Sequence, residues 1–441
     1  MCTGRSCGIA ARNQWRGQAM ASTSDGRTID ADVAIVGAGI IGITAAFALQ
    51  ERGQSVVLIE RGEVAHGASF GNAGAFAFSD VMPLASPGIL RKAPRWLLDP
   101  LGPLSVPPAY LPTIAPWLFR FWRASRPAAF ATSFAAQVAM MELASTETRR
   151  LIAAAGLDAM LRSDGALELY ESRAEFEASL GAWQARKTAG IACRHLDGAG
   201  IAQLQPGLSP RFTHGTFVPG WQSIADPYDY AKALAGRLVE RGGRIVRAEV
   251  RGLTPAGDAV CLKLADGSEL LARHAIVAGG AWSKPLAAAL GDRLPLETER
   301  GYNTTLPPGA FDLKQQLTFP GHGFVVSRLT SGIRVGGAVE LGGLKRPPDY
   351  RRSATTLEKA KRFLPALDTT GGRQWMGFRP SMPDSLPVIG RASATDRVVY
   401  AFGHGHLGLT QSAATARILA DLVTGTPTPI NLVAFSPRRF A

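Results

Sequence analysis

Two runs of consecutive apolar residues, joined by an alanine-rich apolar segment, mark the start of the folded chain. The runs are Val33–Val36 and Val56–Ile59, and such uninterrupted apolar runs are typical of parallel strands that are buried on both faces. The segment between them predicts a helix that extends to about Arg52 and ends at Gly53, because glycine favours helix ends. The pattern therefore predicts a strand–helix–strand unit whose second strand ends in an acid, Glu60.

Segments with helical spacing and short runs of β-forming residues alternate along the rest of the chain. Asp226-Pro227 predicts a helix start, because Asp caps the first turn and Pro is favoured at the first helical position. The other predicted helices are Ser133–Ala155, Ala174–Ala189, Thr356–Phe363 and Gln411–Thr424. The predicted strands are Gly165–Tyr170, Arg244–Val250, Val260–Leu264, Glu269–Leu271, Ala275–Ala278, Phe324–Ser327, Ile333–Val339 and Val398–Phe402.

These elements predict two interleaved domains in an α/β fold that is α+β overall. Residues 31–95, 222–290 and 376–441 are expected to form one discontinuous nucleotide-binding domain, and residues 96–221 and 291–375 a second, strand-rich domain. Residues 1–30 are polar and lack apolar periodicity, so we expect a flexible tail there. A start at Met20 and a transit peptide are the alternatives for this segment.

Length, charge and cysteine content narrow the function classes. The chain has 441 residues, too many for one ordinary core, and its net charge of +13 favours anionic partners. Because the basic residues are scattered and accompany no nucleic-acid motif, we expect no nucleic-acid partner. No apolar stretch is as long as the roughly 18 residues of a membrane-spanning helix. The four cysteines form no CxxC pair, which argues against a zinc site and a disulfide scaffold.

An aromatic segment with basic neighbours lies at Trp96–Arg123. It contains the sequence WLFRFW at Trp117–Trp122. One interpretation is a helix that packs between domains; the other is a surface that meets a membrane or a redox partner through aromatic and basic side chains. The basic residues concerned are Arg91, Lys92, Arg95, Arg120 and Arg123.

A glycine motif follows the first predicted strand at once. In Gly37-x-Gly39-x-x-Gly42, the first glycine allows a tight turn, the second lets the backbone approach a pyrophosphate, and the third lets helix and strand pack closely. The helix N-terminus then faces the phosphates. Glu60 follows at the spacing of an acid that accepts hydrogen bonds from ribose hydroxyls. Strand, glycines, helix and acid together predict a bound dinucleotide that contains ADP.

The second group of motifs lies near the C-terminus. It consists of Gly377–Pro380, Pro383–Gly390 and the loop Phe402–Thr410. Gly405 and Gly408 would let the backbone approach a flat ligand, and the helix that begins at about Thr410 would point its positive end at this loop.

Together these motifs resemble the D-amino acid oxidase superfamily of flavoproteins, and most closely the small subunit of bacterial D-amino acid dehydrogenases, with glycine and sarcosine oxidases as further relatives. The resemblance extends from Asp32 to Gly425. It implies a Rossmann-like FAD-binding domain of the GR2 type, with an interleaved antiparallel-sheet substrate-binding domain. The segments that carry the resemblance are Gly37–Gly42, Ser69–Gly74, Asp226-Pro227, Ala278–Trp282, Arg300–Tyr302, Gly377–Gly390 and Gly403–Thr410.

The resemblance implies noncovalent FAD, because no cysteine occupies a motif position associated with covalent flavin. By the same resemblance Glu60 binds the adenosine ribose, Ser69, Asn72 and Gly74 lie near the flavin, Val250 lies on the adenine side, and Gly279 and Trp282 flank the pyrophosphate. The full expected set of cofactor-binding residues is Gly37, Gly39, Ile40, Ile41, Gly42, Glu60, Arg61, Ser69, Asn72, Gly74, Val250, Gly279, Trp282, Gly405, His406, Leu407, Gly408, Leu409 and Thr410.

Three residues are the candidates for catalysis. Arg379 matches the arginine that holds the substrate carboxylate in the family, as a guanidinium fork suits a carboxylate. Tyr302 either contacts that carboxylate and shapes the pocket or is a core tyrosine. His404 invites a general-base interpretation, but hydride transfer from the α-carbon needs no protein base, so a role in ordering the loop or polarising the flavin is favoured. The histidines show no metal-binding spacing, and we expect no metal.

The resemblance also implies the reaction and its partners. We expect dehydrogenation of a small D-amino or D-imino acid, with electrons passing to a quinone or another carrier, or to O2. D-proline and D-hydroxyproline, or glycine and sarcosine, are the alternative substrates. We expect a cytoplasmic protein with peripheral contact at the inner membrane face.

Overall fold

The computed structural model describes residues 20–22, 28–88 and 104–441. Its strands, in chain order, are β1 (Met20–Ser22), β2 (Thr28–Ile29), β3 (Ala31–Val36), β4 (Val56–Glu60), β5 (Ala75–Phe76), β6 (Leu104–Ser105), β7 (Leu161–Arg162), β8 (Ala166–Tyr170), β9 (Arg194–Asp197), β10 (His214–Val218), β11 (Gln222–Ile224), β12 (Arg244–Arg247), β13 (Val250–Ala256), β14 (Ala259–Leu264), β15 (Glu269–Val277), β16 (Glu297–Leu306), β17 (Gln316–Phe319), β18 (Phe324–Leu329), β19 (Gly332–Glu340), β20 (Arg373–Ser381), β21 (Val388–Ala392) and β22 (Thr395–Phe402). Its helices are α1 (Ile40–Glu51), α2 (Leu111–Ala124), α3 (Pro127–Ala155), α4 (Arg173–Thr188), α5 (Gly198–Leu204), α6 (Pro227–Glu240), α7 (Ser283–Ala289), α8 (Arg351–Phe363) and α9 (Gly408–Thr424).

The predicted strand–helix–strand unit forms the centre of an eight-stranded sheet. Strands β3 and β4 are parallel, with Val33 opposite Val56, and the strand order is β12-β4-β3-β15-β14-β13, with β22 pairing with β15 and β21. Apolar side chains of β3 and β4 are buried on both faces of this sheet, as the uninterrupted apolar runs predict. The carboxyl ends of β3, β4 and β15 therefore lie side by side, where the glycine motif begins.

A second, mostly antiparallel sheet of nine strands carries the other half of the molecule. Its order is β20-β16-β19-β18-β17-β8-β10-β9, with β6 pairing with β19. Side chains such as Leu317, Phe319 and Val335 pack with Phe363 of α8 in a separate apolar core on one face. The fold is thus α/β with parallel and antiparallel sheets, as expected from the sequence.

Several predicted boundaries need correction. The expected strands Glu269–Leu271 and Ala275–Ala278 are parts of one continuous strand, β15, whose first half pairs with β14 and whose second half pairs with β3 and β22. The expected strand Arg244–Val250 is instead two strands, β12 and β13. Short apolar runs reveal the buried part of a strand and miss its polar continuation.

The domain limits shift as well. Residue 376 lies inside β20, which pairs along its whole length with β16, so residues 376–381 belong to the nine-stranded sheet. Helix α3 lies within the expected strand-rich domain, but Met140, Leu151 and Ile152 pack into the core of the first sheet. The expected tail ends before residue 30, since Ile29 is buried and β2 pairs with β1; residues 1–19 and 23–27 lie outside the described residues.

Helix α2 contains the C-terminal part of the predicted aromatic segment, including Trp117–Trp122. Ile114 and Trp117 are buried against Leu341, whereas Phe119 is 55% exposed and Leu111 44% exposed. One face therefore packs on the protein and the other faces outward. Trp96, Arg91, Lys92 and Arg95 lie outside the described residues. Within the described ranges no helix combines the length and the apolar character needed to cross a bilayer.

Candidate active site

One large cavity, of about 1030 Å³, lies between the two sheets. Ligand pockets commonly measure roughly 300–1,000 Å³, so this cavity has room for an extended dinucleotide together with a small substrate. The first sheet contributes the ends of β3, β4 and β15, and the second contributes β16, β19 and β20. The cavity brings together the N-terminal glycine motif and the C-terminal loop, which are far apart in sequence.

The three motif glycines have different physical roles. Gly37 adopts a φ angle of +106°, and a Cβ there would lie 2.5 Å from the carbonyl oxygen of Ala278. A Cβ on Gly42 would lie 1.9 Å from the carbonyl oxygen of Gly37, so only glycine lets α1 approach this turn. A Cβ on Gly39 would meet only the hydroxyl of Ser69, at 3.6 Å. Gly37 and Gly42 therefore maintain the fold, and Gly39 keeps the cavity clear at the helix N-terminus.

The side chain of Glu60 is fixed at the end of β4 by two backbone donors. One carboxylate oxygen accepts a hydrogen bond from the Ala38 N–H at 2.8 Å, and the other accepts one from the Gly62 N–H at 3.0 Å. Each oxygen keeps a further lone pair for a ribose hydroxyl. Glu60 is therefore held on the cavity wall with acceptor capacity left over, and its binding of a ribose stays a prediction.

Arg61 and Trp282 form the next part of that wall. The Arg61 guanidinium lies 4.1 Å from the centre of the Trp282 ring, and that ring meets Phe378 edge to face. Gly279 and Val250 also line the cavity here. The stack is a cationic surface beside the glycine turn, which suits an anionic pyrophosphate.

The loop 69–74 closes the same end of the cavity. The Ser69 hydroxyl accepts a hydrogen bond from the Ile40 N–H at 3.0 Å, which places it at the start of α1, and Ile41 follows on the cavity wall. Asn72 accepts a hydrogen bond from the Gly74 N–H, so its side chain stabilises the loop itself. Although Asn72 lines the cavity, its amide oxygen is engaged within the loop.

The C-terminal loop reaches the cavity from the opposite end. Gly405 donates its N–H to the Pro380 carbonyl at 2.7 Å, and the Thr410 hydroxyl accepts a hydrogen bond from the Ala77 N–H. Helix α9 starts at Gly408, two residues before the expected position, and its first turn lines the cavity together with Leu407 and Leu409. The positive end of this helix is thus directed at the site, as predicted.

The two histidines of this loop differ in environment. His404 is buried with its Nε2 atom 3.0 Å from the Thr415 hydroxyl, and burial lowers the pKa of His404 to about 3. His404 is thus neutral and engaged with Thr415, and its role in ordering the loop stays a prediction. His406 places Nε2 2.9 Å from a carboxylate oxygen of Asp80. Burial opposes the charge of His406, but Asp80 outweighs that effect and raises the pKa of His406.

Arg379 lies where the sequence predicts a carboxylate-binding residue. Its guanidinium packs over Gly301, where a Cβ would lie 2.6 Å from the Cζ atom, and it lines the cavity. Among the described residues it has no hydrogen bond or ion pair within 4.0 Å. Burial lowers the pKa of Arg379 while Glu299 opposes this shift, and an arginine remains charged under these conditions.

Of the two alternatives for Tyr302, the contacts of its hydroxyl favour the core tyrosine. Its hydroxyl donates a 2.6 Å hydrogen bond to Glu340 and accepts one from the Asp349 N–H, and burial followed by Glu340 raises the pKa of Tyr302 to about 12. The hydroxyl therefore belongs to a buried network and is not available to a substrate carboxylate. Side chains alternate across a strand, so Tyr302 and Gly301 project to opposite faces of β16.

Sequence reasoning missed several residues that shape the cavity. Trp375 lies against Gly71 and Gly377, where added Cβ atoms would approach its ring to 2.0 and 1.9 Å. Its position two residues before the recognised Gly377–Pro380 motif was the available clue. Glu299 and Asp80 gave no comparable clue, because no motif contains them.

Within the described part of the chain, no three His, Cys, Asp or Glu side chains are grouped to hold a metal ion. The residues present fit FAD: a glycine turn at a helix N-terminus, a fixed acid for the ribose, and a second helix N-terminus at the far end of one long cavity.

This chain is similar to known proteins in sequence and in fold. Residues 32–422 match the family model DAO, described as FAD dependent oxidoreductase. A D-amino-acid oxidase of Bradyrhizobium diazoefficiens is 38% identical over 92% of this chain and 98% of its own length. A D-amino acid dehydrogenase of Cereibacter sphaeroides is 31% identical over 93% of this chain and 95% of its own. The structure of glycine oxidase from Geobacillus kaustophilus shares the fold, with a TM-score of 0.70 at 21% identity over 92% of this chain and 98% of that one.

Proposed function

Because this chain belongs to the DAO family of FAD-dependent oxidoreductases, we propose that it oxidises a small D-amino or D-imino acid at the α-carbon. When bound, FAD supplies the two-electron acceptor that takes the α-hydrogen as hydride. A primary amine yields an imino acid that hydrolyses to a 2-oxo acid and ammonia. A cyclic secondary amine such as D-proline yields a cyclic imine instead.

The observation that carries the proposal is the unpaired guanidinium of Arg379. Arg379 lines the cavity and has no hydrogen bond or ion pair with the described residues, so its guanidinium is available to an anionic ligand at this point. A carboxylate can accept two parallel hydrogen bonds from the guanidinium, which fixes both its position and its orientation. Arg379 thus holds the substrate while the α-carbon is directed along the cavity toward the flavin end.

The D configuration is supported by the relatives. The two curated proteins described above are named D-amino-acid oxidase and D-amino acid dehydrogenase, and both match almost the full length of this chain. Their names also divide between oxidase and dehydrogenase. We propose a quinone or a carrier protein as acceptor, with O2 as the alternative.

The outward face of α2 supports an acceptor at a membrane surface. It combines the exposed Phe119 and Leu111 with Arg120 and Arg123. An apolar face flanked by arginines suits the interface of an anionic bilayer. Flotation with anionic and neutral vesicles tests this point, and binding to neither would leave a soluble carrier or O2 as acceptor.

Anaerobic mixing of the purified holoenzyme with candidate substrates tests the function. The panel contains D-alanine, D-proline, cis-4-hydroxy-D-proline, glycine, sarcosine and the L-enantiomers of the chiral members. We expect loss of the visible flavin absorption with at least one D compound, followed by re-oxidation with a quinone analogue or with air. No bleaching with any member, in a protein that contains flavin, would reject the proposed function.

The variant Arg379→Ala tests the role of the guanidinium. It should retain FAD but raise the half-saturating substrate concentration by about 30- to 1000-fold, which corresponds to roughly 2–4 kcal/mol for a charge-assisted bidentate contact. Arg373→Ala is the matched control, because Arg373 lies on the same strand and is exposed. Equal kinetics for the two variants would remove Arg379 from the site.

A further inference from the structure

Among the described residues, one buried acid, Glu299, has no hydrogen-bond or ion-pair partner. Among the described residues, the buried acids are Glu147, Asp226, Asp292, Glu299, Glu340 and Asp421. Five of them accept hydrogen bonds: Glu147 from Arg150, Asp226 from Ser331, Asp292 from Tyr400, Glu340 from Tyr302 and Asp421 from Arg52. Glu299 accepts none from any described residue, although it is only 7% exposed. A carboxylate in this position needs a partner to offset the loss of water.

Glu299 lies beside Arg379. The two residues are directly opposed on the antiparallel strands β16 and β20, so their side chains leave the sheet on the same face and both line the cavity. Opposed residues have Cβ atoms roughly 4.5–5.5 Å apart. Nevertheless the two side chains form no ion pair within 4.0 Å. The sheet therefore presents a cation and an anion side by side, each unpaired and each open to the cavity.

This pair of charges matches the two charged ends of an α-amino acid. A ligand whose carboxylate lies on Arg379 carries its α-amino group one carbon away, within reach of the neighbouring Glu299. The Glu299 carboxylate can accept an N–H from this group, whether it is an ammonium or a neutral amine. A simple carboxylic acid would gain the Arg379 contact and would be repelled by Glu299.

We propose that Glu299 is a specificity-determining residue that binds the α-amino or imino nitrogen of the substrate. The inference rests on the proposed function, since it needs a carboxylate on Arg379. It assigns recognition of the two ends of the substrate to two adjacent strands of one sheet. The enzyme then rejects carboxylates that lack the amine, because only an N–H donor satisfies the buried acid.

A matched pair of ligands tests this assignment. D-alanine and propionate differ only in the α-amino group, and each is titrated into the holoenzyme without oxygen. Propionate binding is read from its perturbation of the flavin spectrum, and D-alanine binding from the concentration that gives the half-maximal rate of flavin reduction. If another amino acid reduces the flavin better than D-alanine, it is compared with its own deaminated analogue.

The variant Glu299→Gln keeps the shape of the side chain and removes its charge. We expect at least a tenfold rise in the half-saturating D-alanine concentration, with propionate binding unchanged or tighter. Glu297→Gln is the matched control: Glu297 lies two residues away on β16, but its carboxylate accepts a hydrogen bond from Tyr110. This control should behave as wild type. A Glu299→Gln enzyme that shifts both ligands equally, or neither, would overturn the assignment.

Glu299→Asp provides a second test if Glu299→Gln fails to retain FAD. It keeps the charge but shortens the side chain by one methylene. The half-saturating D-alanine concentration should therefore rise at least threefold, while propionate binding should not weaken. A shift shared by both ligands would again count against Glu299. If no amino acid reduces the flavin of the wild-type protein, the proposed function fails. If the wild-type enzyme is active and the Glu299 variant has the same kinetics, only the role of Glu299 fails.

Discussion

Replacing Gly39 by valine separates cofactor binding from folding. A Cβ at this position would meet only the Ser69 hydroxyl, at 3.6 Å, which is an ordinary contact. The backbone of Gly39 is extended, and any residue can adopt it. The valine side chain would therefore be accommodated by the protein and would project into the cavity at the N-terminus of α1, where the pyrophosphate of FAD is expected.

The size of the effect follows from the hydrogen bonds that the valine would displace. The first N–H groups of a helix have no intrahelical acceptor and are free to bind phosphate oxygens. Each such bond to a charged acceptor contributes about 1.5–3 kcal/mol. Loss of two of them would cost about 3–6 kcal/mol and weaken FAD binding by roughly 10² to 10⁴-fold.

The assay compares FAD affinity with thermal stability. Apoprotein is titrated with FAD by calorimetry, and the melting temperature of the same apoprotein is measured. Gly39→Val should lose affinity at nearly unchanged apoprotein stability. Gly42→Ala should instead lower the melting temperature of the apoprotein, because its Cβ would lie 1.9 Å from the Gly37 carbonyl oxygen. A Gly39→Val protein with wild-type affinity for FAD would refute the phosphate-binding role of this turn.

Two further predictions concern residues that the sequence did not identify. Burial lowers the pKa of His406, but Asp80 outweighs this effect and raises it. The pair therefore contributes its whole stabilising free energy below the unfolded pKa of about 6.5, and this contribution is lost as the pH rises through the folded pKa. Asp80→Asn should lower the midpoint of the His406 NMR titration. It should also remove the part of the fall in melting temperature with rising pH that is due to this pair. An unchanged midpoint would contradict the pairing. Gly71→Ala should cost about 1–3 kcal/mol in urea unfolding, because its Cβ would lie 2.0 Å from the Trp375 ring, whereas Gly67→Ala, with nothing within 4 Å, should not. Trp375→Leu in the Gly71→Ala background should recover most of the loss, and an additive double variant would refute the clash.

The parts of the fold that the sequence predicts are those whose evidence is local. The strand–helix–strand unit lies within some thirty residues, and each glycine and the acid Glu60 has its role within that unit. Asp226 likewise caps the helix that follows it, as its side chain accepts hydrogen bonds from the Tyr228 and Asp229 N–H groups. Local chemistry of this kind needs no knowledge of the rest of the chain.

Strand β16 shows why the remainder could not be predicted. Its sequence, ETERGYNTTL, is mostly polar and has no apolar alternation, yet nearly all of it is buried. One face borders the cavity through Glu299, and Arg300 on the other face reaches Glu340. Charged residues can be buried here because β20 and β19 supply partners or a ligand site. The register in which β16 pairs with these strands depends on residues far away in the sequence. The roles of Glu299 and Tyr302 depend on it.

The loop 69–74 is fastened to the second sheet as firmly as to the first. Arg334 of β19 donates to the carbonyl oxygens of Phe70 and Asn72, and Asn303 of β16 donates to the Gly71 carbonyl, while Ser69 accepts from the start of α1. The same loop therefore contacts both the start of α1 and the second sheet. It connects the glycine turn at the start of α1 to the sheet that carries Arg379.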